Sequence, residues 1–194
     1  MLKIILLCIV MFTGYYAWSI FPIQHGPGVI APDKPRVSRI TLEKPFPFNN
    51  STVVPIRKIT AQVRVLEKKR YYFDNKSEYS PVDVLVGWNE LSDERNLDYI
   101  HFSLDERYFK INYSKPPLPL NDIYNQIQLW HLMPASEEID TSIKGIREGN
   151  VISIEGFIVD IKSNDSFGWK SELTKPGEAH LKNTILWINS IEVR

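Results

Sequence analysis

The residues best suited to chemistry are His131, in the apolar stretch LWHLMPA, and Ser171, which directly follows Lys170. A histidine could act as a general base, and a serine activated by a lysine could act as a nucleophile. Adjacent residues of a strand point to opposite faces, so direct neighbours make a poor dyad. The apolar neighbours of His131 favour a histidine packed in the core and hydrogen-bonded to backbone. We therefore predict a structural role for His131 and assign no catalytic residue.

Metal chemistry finds no support in the sequence. The 4 histidines are isolated, the 1 cysteine is Cys8, and no His-Glu-x-x-His or paired-cysteine pattern occurs. Carboxylates cluster at 93–98 and 137–140, and two carboxylates could hydrolyse a glycosidic bond. Acidic residues are also common at the start of a helix, because the helix dipole favours them there. The sequence predicts neither a metal site nor a cofactor.

A basic run extends from Arg57 to Arg70 and is followed by three aromatic residues at 71–73. On a barrel surface such a run could stack bases and bind phosphates. The alternative is a solvated strand face that ends in a hairpin. Lys+Arg number 23 and Asp+Glu number 23, and this balance gives no general attraction to nucleic acid. Nucleic acid is therefore not the expected partner.

The elements that must position these residues are mainly strands. Residues 59–65 alternate between apolar and polar side chains, which is typical of a half-buried strand. Residues 151–162 also alternate, but their phase changes at Gly156. A glycine at such a change predicts a bulge or a sharp bend, as where a sheet curls into a barrel. Further strands are predicted at 82–88, 99–104, 107–113 and 185–193, the second and third joined by a turn at 105–107.

Two short helices complete the pattern. Asn121 is a suitable N-cap for a helix that runs to Leu129, and Ser136 for a helix that runs to Ile146. The predicted fold class is mainly β with short helices: a single N-terminal transmembrane helix, then a small curled antiparallel barrel that is OB-like. A helix-decorated β-sandwich is the alternative.

The N-terminal stretch Ile4 to Phe21 is uncharged and mostly apolar. As a helix it covers ~27 Å, close to the ~30 Å of a hydrocarbon core. Lys3 lies before it and the next cation is Lys34, which predicts a cytoplasmic N-terminus and a C-terminal domain outside. The expected location is the cytoplasmic membrane, single-pass. The alternative is a signal segment cleaved near Ser19, which would release the protein to the periplasm.

Residues 22–51 are rich in proline and glycine, so neither a long helix nor a central strand is expected there. The predicted organisation is a transmembrane anchor or signal segment at 1–21, a Pro-rich linker at 22–51, and a β-rich extracytoplasmic domain at 52–194. The linker would act as an extended tether.

Several motifs resemble those of a family of small bacterial exported proteins with an N-terminal membrane segment. They are HGPGVIAP (25–32), YYFD (71–74), SPVDVLVGW (80–88), LSD (91–93), HLMPA (131–135) and WKSELT (169–174). The resemblance covers most of the chain and implies an exported domain without an assigned activity. The candidate ligand- or partner-binding residues in these motifs are Trp88, Asp93, His131, Trp169, Lys170 and Ser171.

The predicted function is a membrane-tethered, non-catalytic binding or assembly module of the cell envelope. The membrane would bind the N-terminal helix, and the other partners would be envelope proteins or an envelope polymer. The alternative function is an envelope hydrolase that uses His131 with a carboxylate or with Ser171. Convergence of these side chains in a cleft would favour the hydrolase, and burial of His131 would favour the module.

Overall fold

The computed structural model describes residues 2–163, 168–172 and 183–194. Its helices are α1 (Leu2–Ile20), α2 (Glu94–Leu97), α3 (Leu120–Asn125) and α4 (Glu137–Gly145), with a 3₁₀ turn at Asn89–Ser92. Its strands are β1 (Arg36–Arg39), β2 (Phe46–Phe48), β3 (Ser51–Arg70), β4 (Val82–Gly87), β5 (Ile100–Asp105), β6 (Tyr108–Tyr113), β7 (Ile127–Pro134), β8 (Val151–Ser163), β9 (Gly168–Trp169) and β10 (Asn183–Val193).

The long strand β3 closes the sheet on itself because it pairs with β4 along one edge and with β8 along the other. The closed path runs β3–β4–β7–β10–β8, which is the strand order of an OB-like barrel. Strand β10 pairs parallel with β7 and antiparallel with β8. The barrel therefore contains one parallel pair, whereas a purely antiparallel barrel was predicted. Strands β5 and β6 form a separate hairpin outside the barrel.

Strands β4 and β7 are buried on both faces. Inward side chains such as Val84, Trp130 and Ile152 fill the barrel interior. Outward side chains of β4 and β7, such as Leu85 and Leu129, pack beneath the β5–β6 hairpin and α3. A third cluster covers the neighbouring outer surface with Trp169 and the aromatic residues of β2. This double burial explains why several strands read as continuous apolar runs.

Gly156 does not mark a change of phase, and this part of the prediction is wrong. Ile152, Ile154 and Ile158 all belong to the interior cluster, while Val159 and Ile161 lie in the outer cluster with Trp169. The alternation therefore continues through the glycine, and burial of both faces produces the apparent flip. A Cβ at position 156 would lie 2.1 Å from the Trp187 carbonyl oxygen, so the glycine provides clearance between strands.

The second predicted helix is confirmed, with Ser136 as its N-cap accepting a hydrogen bond from the Ile139 amide. The first ends early: α3 stops at Asn125, and the residues from Ile127 onward form strand β7. A strand that is buried on both faces does not alternate between apolar and polar residues. Its continuous apolar run cannot be told from a buried helix by the spacing of the apolar residues.

The prediction of a membrane-spanning helix is wrong for the part of the chain that the structure describes, where no helix combines the length and the apolar character needed to cross a bilayer. The mainly β architecture with short helices is confirmed.

Candidate functional site

The turn between β5 and β6 places a buried arginine at the tip of the hairpin. Glu106 and Arg107 have φ values of 47° and 67°, the left-handed region that a two-residue type I′ turn requires. These positions usually carry Asn-Gly, because a larger side chain there costs about 1–2 kcal/mol per residue. Arg107 is only 4% exposed. The contacts of its side chain offset the cost of the turn.

The Arg107 guanidinium joins the hairpin to the β3–β4 loop, residues 71–81. Its Nε and Nη2 each donate to one oxygen of Asp74 at 2.8 Å, a bidentate pair. Its Nη1 donates to Asp83 Oδ1 at 2.8 Å and to the Ser80 carbonyl at 3.0 Å. The same group stacks 3.8 Å from the centre of the Tyr71 ring. One side chain thus holds two separate loops against strand β4.

Beneath Arg107, a carboxylate and an imidazole face each other across the β4–β7 pair. Asp83 Oδ1 lies 2.8 Å from His131 Nδ1, and both side chains are 0% exposed. Trp169 covers the imidazole at a ring distance of 4.7 Å. The buried carboxylate is neutralised by Arg107, as a charge in a dry interior requires. We call this group the Arg107 cluster: Tyr71, Asp74, Asp83, Arg107, His131 and Trp169.

The contacts within the cluster shift the pKa values of Asp74 and Tyr71. The hydrogen bonds from Arg107 lower the pKa of Asp74 below its usual value, because they favour the charged carboxylate. Burial raises the pKa of the Tyr71 hydroxyl to about 12, and the negative charge of Asp83 adds to this. Asp74 is therefore an anion and Tyr71 a neutral phenol at physiological pH. This arrangement stabilises the ion pair between Arg107 and Asp74.

The β3–β4 loop carries the exposed aromatic residues of the site. Phe73 is fully exposed at 101%, and Tyr72 is 64% exposed. Their rings lie 6.2 Å apart, and the Arg70 guanidinium lies 5.4 Å from the Tyr72 ring. We call Tyr72 and Phe73 the aromatic tip. A groove of about 390 Å³ beside it is lined by Arg70, Tyr71, Tyr72, Ser77, Glu78, Pro81 and Lys144.

Lys170 and Ser171 do not form a catalytic pair. Lys170 is exposed. The Ser171 hydroxyl donates to the Val159 carbonyl at 2.7 Å and accepts from the Ile185 amide at 2.8 Å. These bonds tie the segment after β9 to strands β8 and β10. Ser171 therefore has a structural role, in which its hydroxyl connects the backbones of two neighbouring strands.

Asp93 is a structural anchor. It is 2% exposed, and it accepts hydrogen bonds from the Gly28 and Arg95 amides at 3.1 and 3.0 Å. Its two oxygens also accept hydrogen bonds from the Arg95 side chain. The hydrogen bonds from Arg95 hold the pKa of this carboxyl far below its usual range. Trp88, at 6% exposure, belongs to the interior cluster.

Residues 22–33, which we call the strap, lie along the barrel and do not hang free as a tether. The Ile23 amide donates to the Glu148 carbonyl at 2.8 Å, and His25 Nε2 lies 2.7 Å from the Gly149 carbonyl. The amide of the fully buried Ala31 donates to Ser92 Oγ at 3.0 Å. The HGPGVIAP and LSD motifs therefore contact each other directly. Beyond the strap, β1 and β2 add to the barrel by pairing with β3.

The basic run of β3 is largely committed to internal contacts. Arg64 pairs with Glu94 at 2.5 Å, and Lys69 with Asp105 at 3.0 Å. Lys68 Nζ donates to the carbonyls of Lys144 and Ile146 at the end of α4, a C-cap. Burial lowers the pKa of Lys68 to about 8. These contacts leave Arg70 as the cation beside the aromatic tip.

Sequence reasoning missed Arg107, Asp74 and Asp83, which build the cluster. One signal was present: Asp83 is a charged residue within the apolar strand VDVLVG. A carboxylate in such a strand requires a buried partner. The partner could not be read from the sequence, because it lies in a hairpin 24 residues away.

No protein-family model matches the chain, nor does any curated protein or solved structure.

Proposed function

We propose that this chain is a non-catalytic binding module that docks a partner protein on the aromatic tip. The observation that carries the proposal is a pair of exposed aromatic rings on a loop that a buried ion pair holds in place. Phe73 is 101% exposed, and the next residue, Asp74, is clamped by Arg107. An exposed apolar side chain on a fixed support is typical of an interaction site.

The position of the tip on the barrel supports the proposal. OB-like barrels bind their ligands on the outer face of their second and third strands and on the adjoining loops. Here those strands are β4 and β7, and the loop after the first barrel strand is the β3–β4 loop. The outer face itself is covered by the hairpin and α3, whereas Tyr72 and Phe73 of the β3–β4 loop are exposed.

The chemistry of the tip favours a protein over a charged polymer. Tyrosine and arginine dominate protein-binding hot spots, and Arg70, Tyr71 and Tyr72 line the groove. Glu78 stands in the same groove, and Lys144 is paired with Asp140, so the net charge is small. We infer a partner with an apolar pocket for Phe73 and a carboxylate for Arg70.

The burial of His131 supports the module over the hydrolase. A general base must reach a substrate within about 3 Å or through one water. The His131 side chain has no exposed surface, and Trp169 lies over it. The Ser171 hydroxyl is bonded to backbone groups. The resemblance to exported proteins makes the cell envelope the compartment in which we place the partner.

The test is site-specific photo-crosslinking in the cells that make the protein. The crosslinking residue p-benzoylphenylalanine is placed at Phe73 and, as a matched control, at Leu42, which is 87% exposed on the N-terminal segment. We expect one discrete protein adduct at position 73 and none at position 42. The purified partner should then lose at least tenfold in affinity for Phe73→Ala and nothing for Leu42→Ala.

Three outcomes would overturn the proposal. Position 73 could give no protein adduct, or it could give adducts only with lipid or with a polysaccharide. The third is a partner that binds Phe73→Ala as tightly as the unaltered protein.

A further inference from the structure

We propose that Arg107 is the positioning residue of the aromatic tip, and that the tip binds its partner in the geometry that the Arg107–Asp74 pair imposes. This inference rests on the proposed function and adds a specific residue to it. Arg107 does not reach the surface, since its side chain is 5% exposed. It acts on the tip through Asp74.

The two halves of the β3–β4 loop are anchored differently. The second half has several attachments to the barrel and to its own backbone: the Tyr79 hydroxyl lies 2.7 Å from Ser51 Oγ, and the Ser80 amide donates to the Lys76 carbonyl at 2.9 Å. In the first half, residues 72–75, Asp74 is held by the bidentate pair with Arg107, and the Tyr72 ring lies 5.4 Å from the Arg70 guanidinium at the end of β3. The tip therefore depends on this pair.

The unfavourable backbone of the hairpin turn is linked to the contacts that the Arg107 side chain makes. Arg107 has a positive φ, and its guanidinium contacts Tyr71 and Asp83, which lie outside its own hairpin. A standard turn sequence would relieve the strain and lose the bridge. Unfavourable backbone at a position that fixes a binding loop fits the general link between strain and function.

Replacing Arg107 with lysine distinguishes two roles of this residue: neutralising Asp83 and positioning Asp74. A lysine would keep the positive charge beside Asp83, which is 0% exposed. It would lack the planar fork that holds both oxygens of Asp74 at once. Arg107→Lys should therefore preserve the barrel and release the tip. Asp74→Ala should do the same from the other side, because Asp74 is 34% exposed and not part of the barrel.

The experiment measures loop order and crosslinking in Arg107→Lys, Asp74→Ala and the control Asp105→Asn, which alters an exposed ion pair on the same hairpin. Backbone ¹⁵N relaxation should give order parameters for residues 72–75 that fall from ~0.85 to below ~0.6 in the first two variants only. The adduct of p-benzoylphenylalanine at position 73 should fall at least fivefold in the same two variants. The order parameters of strands β4 and β7 should not change.

Unchanged order parameters and an unchanged adduct in both variants would overturn the inference. Loss of order in β4 and β7 together with the tip would also overturn it, since Arg107 would then be a general core residue. Absence of any adduct at position 73 in the unaltered chain would refute the proposed function. The relaxation measurement would still decide whether Arg107 positions the tip.

Discussion

Asp83 and His131 face each other directly across two neighbouring strands, with 2.8 Å between Oδ1 and Nδ1, on the outer surface of the barrel and not in its interior. Such a pair could serve as an acid–base dyad in an open site. Here Arg107 and Trp169 cover it. The pair therefore fixes the packing of the loop and hairpin on the barrel.

His131→Gln should destabilise the protein by about 2–3 kcal/mol, because the glutamine amide takes the place of Nε2 and not of Nδ1, which would leave the buried Asp83 with a poorer partner. Urea unfolding measures the change. His101→Gln is the control, because His101 is exposed on strand β5. A fully stable His131→Gln variant that no longer binds the partner would show that His131 has a direct functional role.

Gly156→Ala should destabilise the protein by about 1–3 kcal/mol, since its Cβ would lie 2.1 Å from the Trp187 carbonyl oxygen and force β8 and β10 apart. Gly168→Ala is a matched control on the same sheet, with no atom within 4 Å of the added Cβ. The two variants are compared by denaturant unfolding. If both variants lost the same small amount of unfolding free energy, β8 and β10 would be able to separate at Gly156 without cost.

Glu148 should make stability fall as pH rises toward neutrality. Burial raises the pKa of its carboxyl from 4.5 to about 7, and the neighbouring carboxylate of Glu67 adds to the shift. The folded state thus binds the proton more tightly, so the contribution is complete below pH 4.5 and is lost as pH rises through about 7.

Glu148→Gln should therefore flatten the stability profile between these pH values. Above pH 7 the variant should gain on the order of 1 kcal/mol, a modest amount because the carboxyl is partly solvated. Thermal unfolding at a series of pH values measures this. The exposed Glu155 provides the control variant, Glu155→Gln. Parallel profiles for Glu148→Gln and the unaltered chain would contradict the assignment.

Gly149→Ala should detach the strap. Gly149 has a φ of 83°, and a Cβ there would lie 1.9 Å from the Ile23 carbonyl oxygen. The substitution should therefore displace Ile23 and break the bond from His25 to the same turn. Limited proteolysis should cut residues 22–33 at least tenfold faster. Gly145→Ala, whose Cβ would meet no atom within 4 Å, should leave the rate unchanged.

Local signals in the sequence predicted the parts of the fold that depend on near neighbours. The 105–107 turn, the Ser136 cap and the alternation of β3 each involve residues a few positions apart. Strand β7 and the phase of β8 were misread because both of their faces are buried, so burial hid the period of two. The same long-range packing hid Arg107, whose partners are set by how the hairpin folds back over β4.

The strand order also has a consequence for how the chain folds. Strand β10 inserts between β7 and β8, although it is the last strand in the described sequence. Until residues 183–193 are available, β7 and β8 each present an unpaired edge of mostly apolar residues. Pairing across such sequence distances is slow, and exposed edges of this kind recruit other chains. The nascent chain is therefore most prone to aggregate in the interval between synthesis of β8 and insertion of β10.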